Sequence, residues 1–163
     1  MKKFELTNEF ITNMFGTKLF RIRALVEFGD VEAGELGGYV EKESNLGHDD
    51  NAWVYDNAWV YGDAQVSGDA LVYGNALVCS DEDYAYAHGF GSVNRTTTFF
   101  RLKDGGVGVR CGCFYGTLAQ FRDKIRETHG ETKKAQEYLM LADLMELRFE
   151  EDENEVGNRK YVE

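Results

Sequence analysis

A six-residue repeat in the middle of the chain constrains its fold more than any other feature. Five consecutive units between Asn51 and Ser80 read NAWVYD, NAWVYG, DAQVSG, DALVYG and NALVCS. Each unit opens with Asn or Asp, continues with Ala and has Val two residues later. This period is too short for a helical repeat and is typical of a strand-and-turn unit that stacks on its own copies. The repeat therefore predicts a short parallel β-helix as the core of the molecule.

Alternation of side chains along an extended unit places Ala and Val on one face and the residues beside Val on the other. The predicted inner set contains the Ala and Val of every unit: Ala52, Val54, Ala58, Val60, Ala64, Val66, Ala70, Val72, Ala76 and Val78. If three units make one turn, residues eighteen apart stack, so Trp53 lies beneath Leu71. Two outer sides are then apolar, and the third carries only Gln65 and Ser67.

The residues that point outward from the repeat are candidates for a binding surface. Large apolar patches rarely face water in a monomer, so the flanks of the chain or another protein should cover them. Trp and Tyr are frequent anchors of protein interfaces. The predicted binding residues are Trp53, Tyr55, Trp59, Tyr61 and Tyr73, together with Asp49, Asp50, Asp63 and Asp69 at the turns. The aspartates are better explained as turn residues than as a calcium ladder, which needs a glycine-rich nonapeptide.

The segments on either side of the repeat predict two smaller units. Upstream, the alternating segment Lys18–Phe28 predicts a strand that pairs with Phe4–Ile11. Downstream, Thr96–Leu102 and Val107–Tyr115 flank Lys103-Asp104-Gly105-Gly106, a strong hairpin signal.

Two helices are predicted after the hairpin, because Thr117 and Thr132 are suited to be their N-caps. We expect the acidic end of the chain to be solvated and mobile. The predicted organisation is an N-terminal β cap at 1–36, the repeat at 37–88, a hairpin and two-helix unit at 89–149, and an acidic tail at 150–163.

Charge limits the partners of this protein. Twenty-nine Asp and Glu against eighteen Lys and Arg give a formal net charge of −11. Direct nucleic-acid binding is excluded, because phosphate contacts need clustered Lys and Arg. A basic protein surface, such as a groove built to hold nucleic acid, is a better partner.

Several cellular settings are also disfavoured by the sequence. No apolar run approaches the roughly 20 residues of a membrane span. The first residues carry no apolar signal segment. The three cysteines do not have the spacing of a disulfide framework. We therefore expect a cytoplasmic protein without a membrane contact.

Few residues in the chain suggest catalysis or metal binding. Cys111 and Cys113 fall on one side of a strand and, with His129 or His88, form a weak candidate zinc set, although paired C-x-x-C spacing is absent. Two small buried residues are the better account of the C-x-C. His88 offers the general base that a hexapeptide acyltransferase needs, but no second catalytic group can be placed beside it. We therefore predict no catalytic residue and no cofactor.

The order of these motifs resembles a group of phage and prophage hexapeptide-repeat proteins of unassigned function. The likeness rests on LFRIRALVEFGDVEAGELGGYVEKESNL, the NAWVYG-type units, TTFFR, CGCFYGT, THG and EYLMLADL, and it covers nearly the whole chain except the acidic tail. It implies a left-handed β-helix core and a phage or prophage setting, without a shared catalytic motif. Outward aromatic residues and the short repeat distinguish the chain from trimeric acyltransferases.

The predicted fold is mainly β with α at the C-terminus: a short left-handed parallel β-helix core, an N-terminal β cap, and a C-terminal β-hairpin with two helices. The predicted function is that of a non-catalytic phage or prophage binding protein. It would inhibit a host defence factor, of the anti-CRISPR or another anti-defence type, in the cytoplasm of the bacterial host. Two alternatives remain open: a self-assembling structural β-helix module that forms homo-oligomers, and an acyltransferase-like hexapeptide enzyme.

Overall fold

The computed structural model describes residues 2–91 and 95–150 of the chain. The described elements are β1 (Phe4–Thr12), β2 (Lys18–Ala24), β3 (Leu36–Val40), a 3-10 turn (Glu43–Asn45), β4 (Trp53–Val54), β5 (Trp59–Val60), β6 (Leu71–Val72), β7 (Leu77–Val78), a second 3-10 turn (Asp81–Asp83), β8 (Tyr84–Phe90), β9 (Arg95–Arg101), β10 (Val107–Cys111), β11 (Phe114–Thr117), α1 (Leu118–His129) and α2 (Lys133–Phe149).

The strands form three sheets. A five-stranded mixed sheet has the order β1-β2-β3-β5-β7, and a four-stranded sheet has the order β11-β10-β9-β8. Strands β4 and β6 form a separate parallel pair. All pairings in the four-stranded sheet are antiparallel. In the five-stranded sheet, β1-β2 and β2-β3 are antiparallel, whereas β3-β5 and β5-β7 are parallel.

The prediction of a left-handed parallel β-helix is wrong as a description of this fold. The protein is mainly β with two C-terminal helices, but its sheets are mixed and antiparallel. The parallel pairings are made by short strands, and those within the repeat have only two residues each. The reason lies in the flanks, because β2 pairs along β3 through Phe20–Val40 and Arg21–Tyr39. The N-terminal segment therefore extends a sheet of the repeat instead of capping its end.

Two local predictions for the repeat are confirmed. Each member of the inner Ala and Val set is at most 1% exposed. Residues eighteen apart do pair, as Trp53 does with Leu71 and Trp59 does with Leu77. Both results follow from the alternation of side chains along short extended units.

The turns of the repeat explain why its first four units end in Gly or Asp. Gly68 has a φ of 69°, a left-handed conformation that costs Gly little. Asp56 occupies the matching position of the first unit with a φ of 53° and is the one described non-glycine residue with positive φ. Asp tolerates this region better than most residues.

The flanks follow the predicted elements with three differences, of which the first is that β2 ends at Ala24, four residues before the predicted Phe28. Strand β1 pairs with β2, and the side chains of Thr117 and Thr132 accept backbone hydrogen bonds as N-caps of α1 and α2. The predicted strand Val107–Tyr115 is two strands, because Gly112 adopts a φ of 59° in a tight turn between β10 and β11. Strand β8 was not predicted. The expectation of a mobile acidic tail concerns residues 151–163, which lie outside the described residues.

Two large apolar clusters meet at strand β9. The first combines the inner Ala and Val of the repeat with N-terminal residues such as Phe4 and Ile22. The second lies between the four-stranded sheet and the two helices and includes Phe121. Phe99 belongs to the second cluster and Phe100 to the first, since neighbouring residues of a strand face opposite sides.

Candidate functional site

Trp53 is a core residue of this chain. Its side chain is fully buried, and its ring packs edge-on against Phe28 at a centroid distance of 5.3 Å and against Phe4 at 6.3 Å. Tyr61 is also buried, in a smaller cluster with Leu19 and Tyr39. The N-terminal segment therefore covers these two residues. Of the two kinds of cover expected for the outward residues, the flanks of the chain provide it here, which leaves Trp53 and Tyr61 little exposed surface for the predicted binding role.

Trp59 is half-buried beneath the turn between β9 and β10. The ammonium group of Lys103 lies 4.2 Å from its ring centroid and donates a hydrogen bond to the carbonyl of Asn57. Burial lowers the pKa of Lys103. The C-terminal hairpin thus covers part of the apolar side of the repeat that carries Trp59.

The half-buried rings of Tyr55 and Tyr73 contact each other, and the Tyr73 ring also contacts Tyr115 of β11. The ring centroids of Tyr55 and Tyr73 are 5.0 Å apart, and those of Tyr73 and Tyr115 are 5.1 Å apart. The Arg110 guanidinium lies 5.0 Å from the Tyr73 ring. Burial raises the pKa of Tyr55 to about 12, so its phenol is neutral at physiological pH. A binding role for Tyr55, Trp59 and Tyr73 stays a prediction.

The polar third side of the repeat is the candidate binding surface, which we call the acidic face. It consists of the exposed and partly exposed residues of segments 43–49 and 63–69, which include Glu43, Asp49, Asp63 and Asp69. A parallel bridge between Leu46 and Val66 places segment 43–49 beside segment 65–67. The two segments line a surface groove of about 480 Å³.

Buried Asn45 holds the first of these segments in place. Its side-chain amide donates to the carbonyls of Gly62 (3.2 Å) and Ala64 (2.9 Å), and its side-chain oxygen accepts from the backbone N–H of Lys42. Sequence reasoning missed this residue, although an Asn next to a predicted turn was a signal that could have identified it.

Asp50 has a structural role that differs from its predicted role in binding. Its carboxylate accepts hydrogen bonds from the Lys3 ammonium group and from the backbone N–H of Ala52 in the same turn. It also accepts one from the backbone N–H of Gly68, eighteen residues further along the chain. The predicted interface residue Asp50 is thus occupied by intramolecular contacts.

The other three predicted aspartates border the acidic face. Asp49 and Asp63 are exposed, and Asp69 is partly exposed. None of the three forms an ion pair with a described residue, whereas Glu43 pairs with Lys2 at 3.2 Å. Asp49 is close enough to Lys3 to interact with it electrostatically, but it makes no direct ion pair. The structure therefore leaves three carboxylates without a direct ion pair to a described residue at or next to the two segments of the groove.

Cys111, Cys113 and His129, the weak candidate zinc set, line one cavity of about 170 Å³. They do not form a metal centre, because no group of three or more potential ligands in residues 2–91 and 95–150 has suitable geometry. The buried Cys111 thiol instead accepts a hydrogen bond from the Thr97 hydroxyl at 3.2 Å. His88 lies in β8, where its Nδ1 is 2.7 Å from the Thr96 hydroxyl.

None of the described helices is both long and apolar enough to cross a membrane.

Comparisons with known proteins identify no relative of this chain. No protein-family model matches it, and no significant match is found among curated proteins.

Proposed function

We propose that this chain is a non-catalytic binding protein that attaches to a basic protein surface through its acidic face. The carrying observation is that Asp49 lines the groove, that Asp63 and Asp69 flank its other segment, 65–67, in the chain, and that none of the three has an ion-pair partner in the described residues. Unpaired surface carboxylates attract a partner of opposite charge and speed its association. The net charge of −11 reinforces this attraction at long range.

The proposed partner is a bacterial host protein with a basic groove, such as a nuclease of a defence system that normally holds nucleic acid. A folded surface with strong negative charge can occupy a protein groove that attracts phosphates, because the positive charge of the groove attracts both. The resemblance to phage and prophage hexapeptide-repeat proteins supports this setting, and with it an anti-CRISPR or other anti-defence role in the host cytoplasm.

Charge reversal on the acidic face tests the proposal. We expect the double variant Asp49→Lys/Asp63→Lys to weaken partner binding about a hundredfold or more, because like charges then face each other across the interface. The tagged protein is used to recover its partner from a host lysate at low salt. The affinity of the purified pair is then measured at increasing salt.

The matched control is Glu127→Lys/Glu137→Lys, which reverses two exposed carboxylates on the helices and changes net charge by the same amount. We expect this variant to retain the partner. Equal losses in both double variants would show that only net charge matters. Failure of the native chain to recover any partner at low salt would refute the proposal.

A further inference from the structure

One cavity in the C-terminal part of the chain brings together side chains from five elements, three strands and two helices. It lies where the sheet formed by β8 to β11 meets the two helices. Cys111 ends β10, and Cys113 follows in the turn to β11. Helix α1 contributes Lys124 and His129, and α2 contributes the buried Tyr138.

Arg95, the first residue of β9, also lines this cavity. Its guanidinium lies against the backbone of Gly112, where any Cβ atom would overlap with Nη1 of Arg95. Gly112 also has a positive φ, which favours Gly. The turn between β10 and β11 thus leaves the space in which the guanidinium lies beside the cavity.

Two cationic side chains, Arg95 and Lys124, line the cavity. Neither Arg95 nor Lys124 forms an ion pair with any residue in 2–91 or 95–150, although acids outnumber bases by 29 to 18 in the whole chain. Other arginines do find partners: Arg122, on the same helix as Lys124, pairs with Asp143 at 2.9 Å and Glu146 at 3.1 Å. Two cations that have no ion-pair partner among the described residues thus lie beside one cavity, an arrangement that favours an anionic ligand.

Tyr138 and His129 complete the polar lining. Burial raises the pKa of Tyr138, so its phenol keeps its proton at neutral pH and can donate. The His129 ring lies 5.9 Å from the Tyr138 ring. Phe114 and Phe121 form an apolar wall, and such surroundings strengthen the attraction between the cations and an anion.

We propose that this cavity binds a small phosphate-class oxyanion, either free or as a monoester. Its volume of about 170 Å³ is below the roughly 300–1,000 Å³ of pockets for larger ligands, which favours a compact group. Arg forms bidentate hydrogen bonds with phosphate oxygens, and Lys adds a point charge. Since the net charge of −11 repels anions, the binding energy has to come from these local groups.

Titration with inorganic phosphate and, in a second arm, phenyl phosphate tests the proposal by proton NMR. The chain has three histidines, so the His129 ring protons can be followed against those of His48 and His88. We expect a saturable shift of the His129 signal that potassium chloride at equal ionic strength does not produce. Tighter binding of phenyl phosphate would assign the site to a monoester, and equal or weaker binding to the free anion.

Substitutions that remove one charge provide the controls. We expect Arg95→Gln and Lys124→Gln each to weaken phosphate binding about tenfold or more, as expected for the loss of a hydrogen bond to a charged group. Arg126→Gln is the matched control, because Arg126 lies on the same helix, pairs with Asp123 and does not line the cavity. Lys124 is exposed, so its substitution should leave the fold intact.

An unsaturable shift, or equal phosphate affinity in the native chain and Lys124→Gln, would overturn the proposal.

Discussion

Lys3 is a buried lysine whose ammonium group donates hydrogen bonds to Asp50 and Ala52 at the start of the repeat. Its Nζ donates to the carbonyls of Ala52 (2.7 Å) and Asp50 (3.0 Å) and to the Asp50 carboxylate (3.2 Å). Burial lowers the pKa of Lys3, and the contacts with Asp50 oppose this effect. These contacts fasten β1 to a turn that lies almost fifty residues further along the chain, a distance that no local sequence pattern reveals.

We expect Lys3→Ala to lower the free energy of unfolding by about 3 kcal/mol, because it leaves a carboxylate and two carbonyls without their shared donor. Urea denaturation measures the change. Lys2→Ala is the control, since Lys2 forms an exposed ion pair with Glu43. Its removal should cost at most about 1 kcal/mol. Similar losses in the two variants would contradict the structural role of Lys3.

Among the elements, β3 joins the N-terminal strands to the repeat. It pairs antiparallel with β2 on one side and parallel with β5 on the other. Gly38 makes this close approach feasible, because an added Cβ would lie 2.7 Å from the carbonyl oxygen of Ala58 and 2.7 Å from a methyl group of Val54. The constraint at Gly38 is therefore one of space between packed backbones.

We expect Gly38→Ala to destabilise the protein by about 1–3 kcal/mol, the usual cost of overfilling a packed site. Gly106→Ala is the matched control. Gly106 lies in an exposed turn, also has no positive φ, and its nearest neighbour is the carboxylate of Asp104. That change should stay within about 0.5 kcal/mol. Thermal unfolding followed by circular dichroism compares the two, and equal midpoints would show that β3 has room for a methyl group.

These elements also show what the sequence could and could not predict. Alternation with a period of two identifies the buried face of each unit, and Thr117 and Thr132 mark the helix starts by their capping chemistry. Neither signal tells which strand lies alongside or in which direction it runs. The antiparallel pairing of β2 with β3 was therefore missed.

Only some features of the candidate sites could be predicted, because the sequence does not show which elements pack together. The polar side was correctly located from Gln65 and Ser67, because position in the repeat determines it. Cys111, Cys113 and His129 were grouped by their chemistry, and they do line one cavity. The charged lining from Arg95 and Lys124 depends on tertiary packing and carries no sequence signal.

For the molecule as a whole, β9 contributes a fully buried phenylalanine to each of the two apolar clusters. Phe99 packs into the helical cluster and Phe100 into the repeat cluster. Further contacts join the same parts: Arg148 of α2 donates to the carbonyls of Asp81 (3.1 Å) and Tyr84 (3.3 Å). Arg101 of β9 donates to the carbonyl of Phe149 at 2.9 Å.

We therefore expect the two clusters to unfold together. Both tryptophans lie in the repeat, whereas both described α-helices lie in the C-terminal part, so fluorescence and far-ultraviolet circular dichroism report on different clusters. Their denaturation curves should coincide. Phe99→Ala and Phe100→Ala should each lower both midpoints together, at a cost of about 3–5 kcal/mol. Separate curves for the two probes, in the native chain or either variant, would contradict this coupling.

The position of β9 has a consequence for biosynthesis. A growing polypeptide leaves the ribosome from its N-terminal end, and early segments begin to fold before later ones exist. The hexapeptide units emerge ahead of Phe100, which covers one flank of their core. Until translation has passed that residue, the nascent chain presents an apolar surface to the chaperones of the cell.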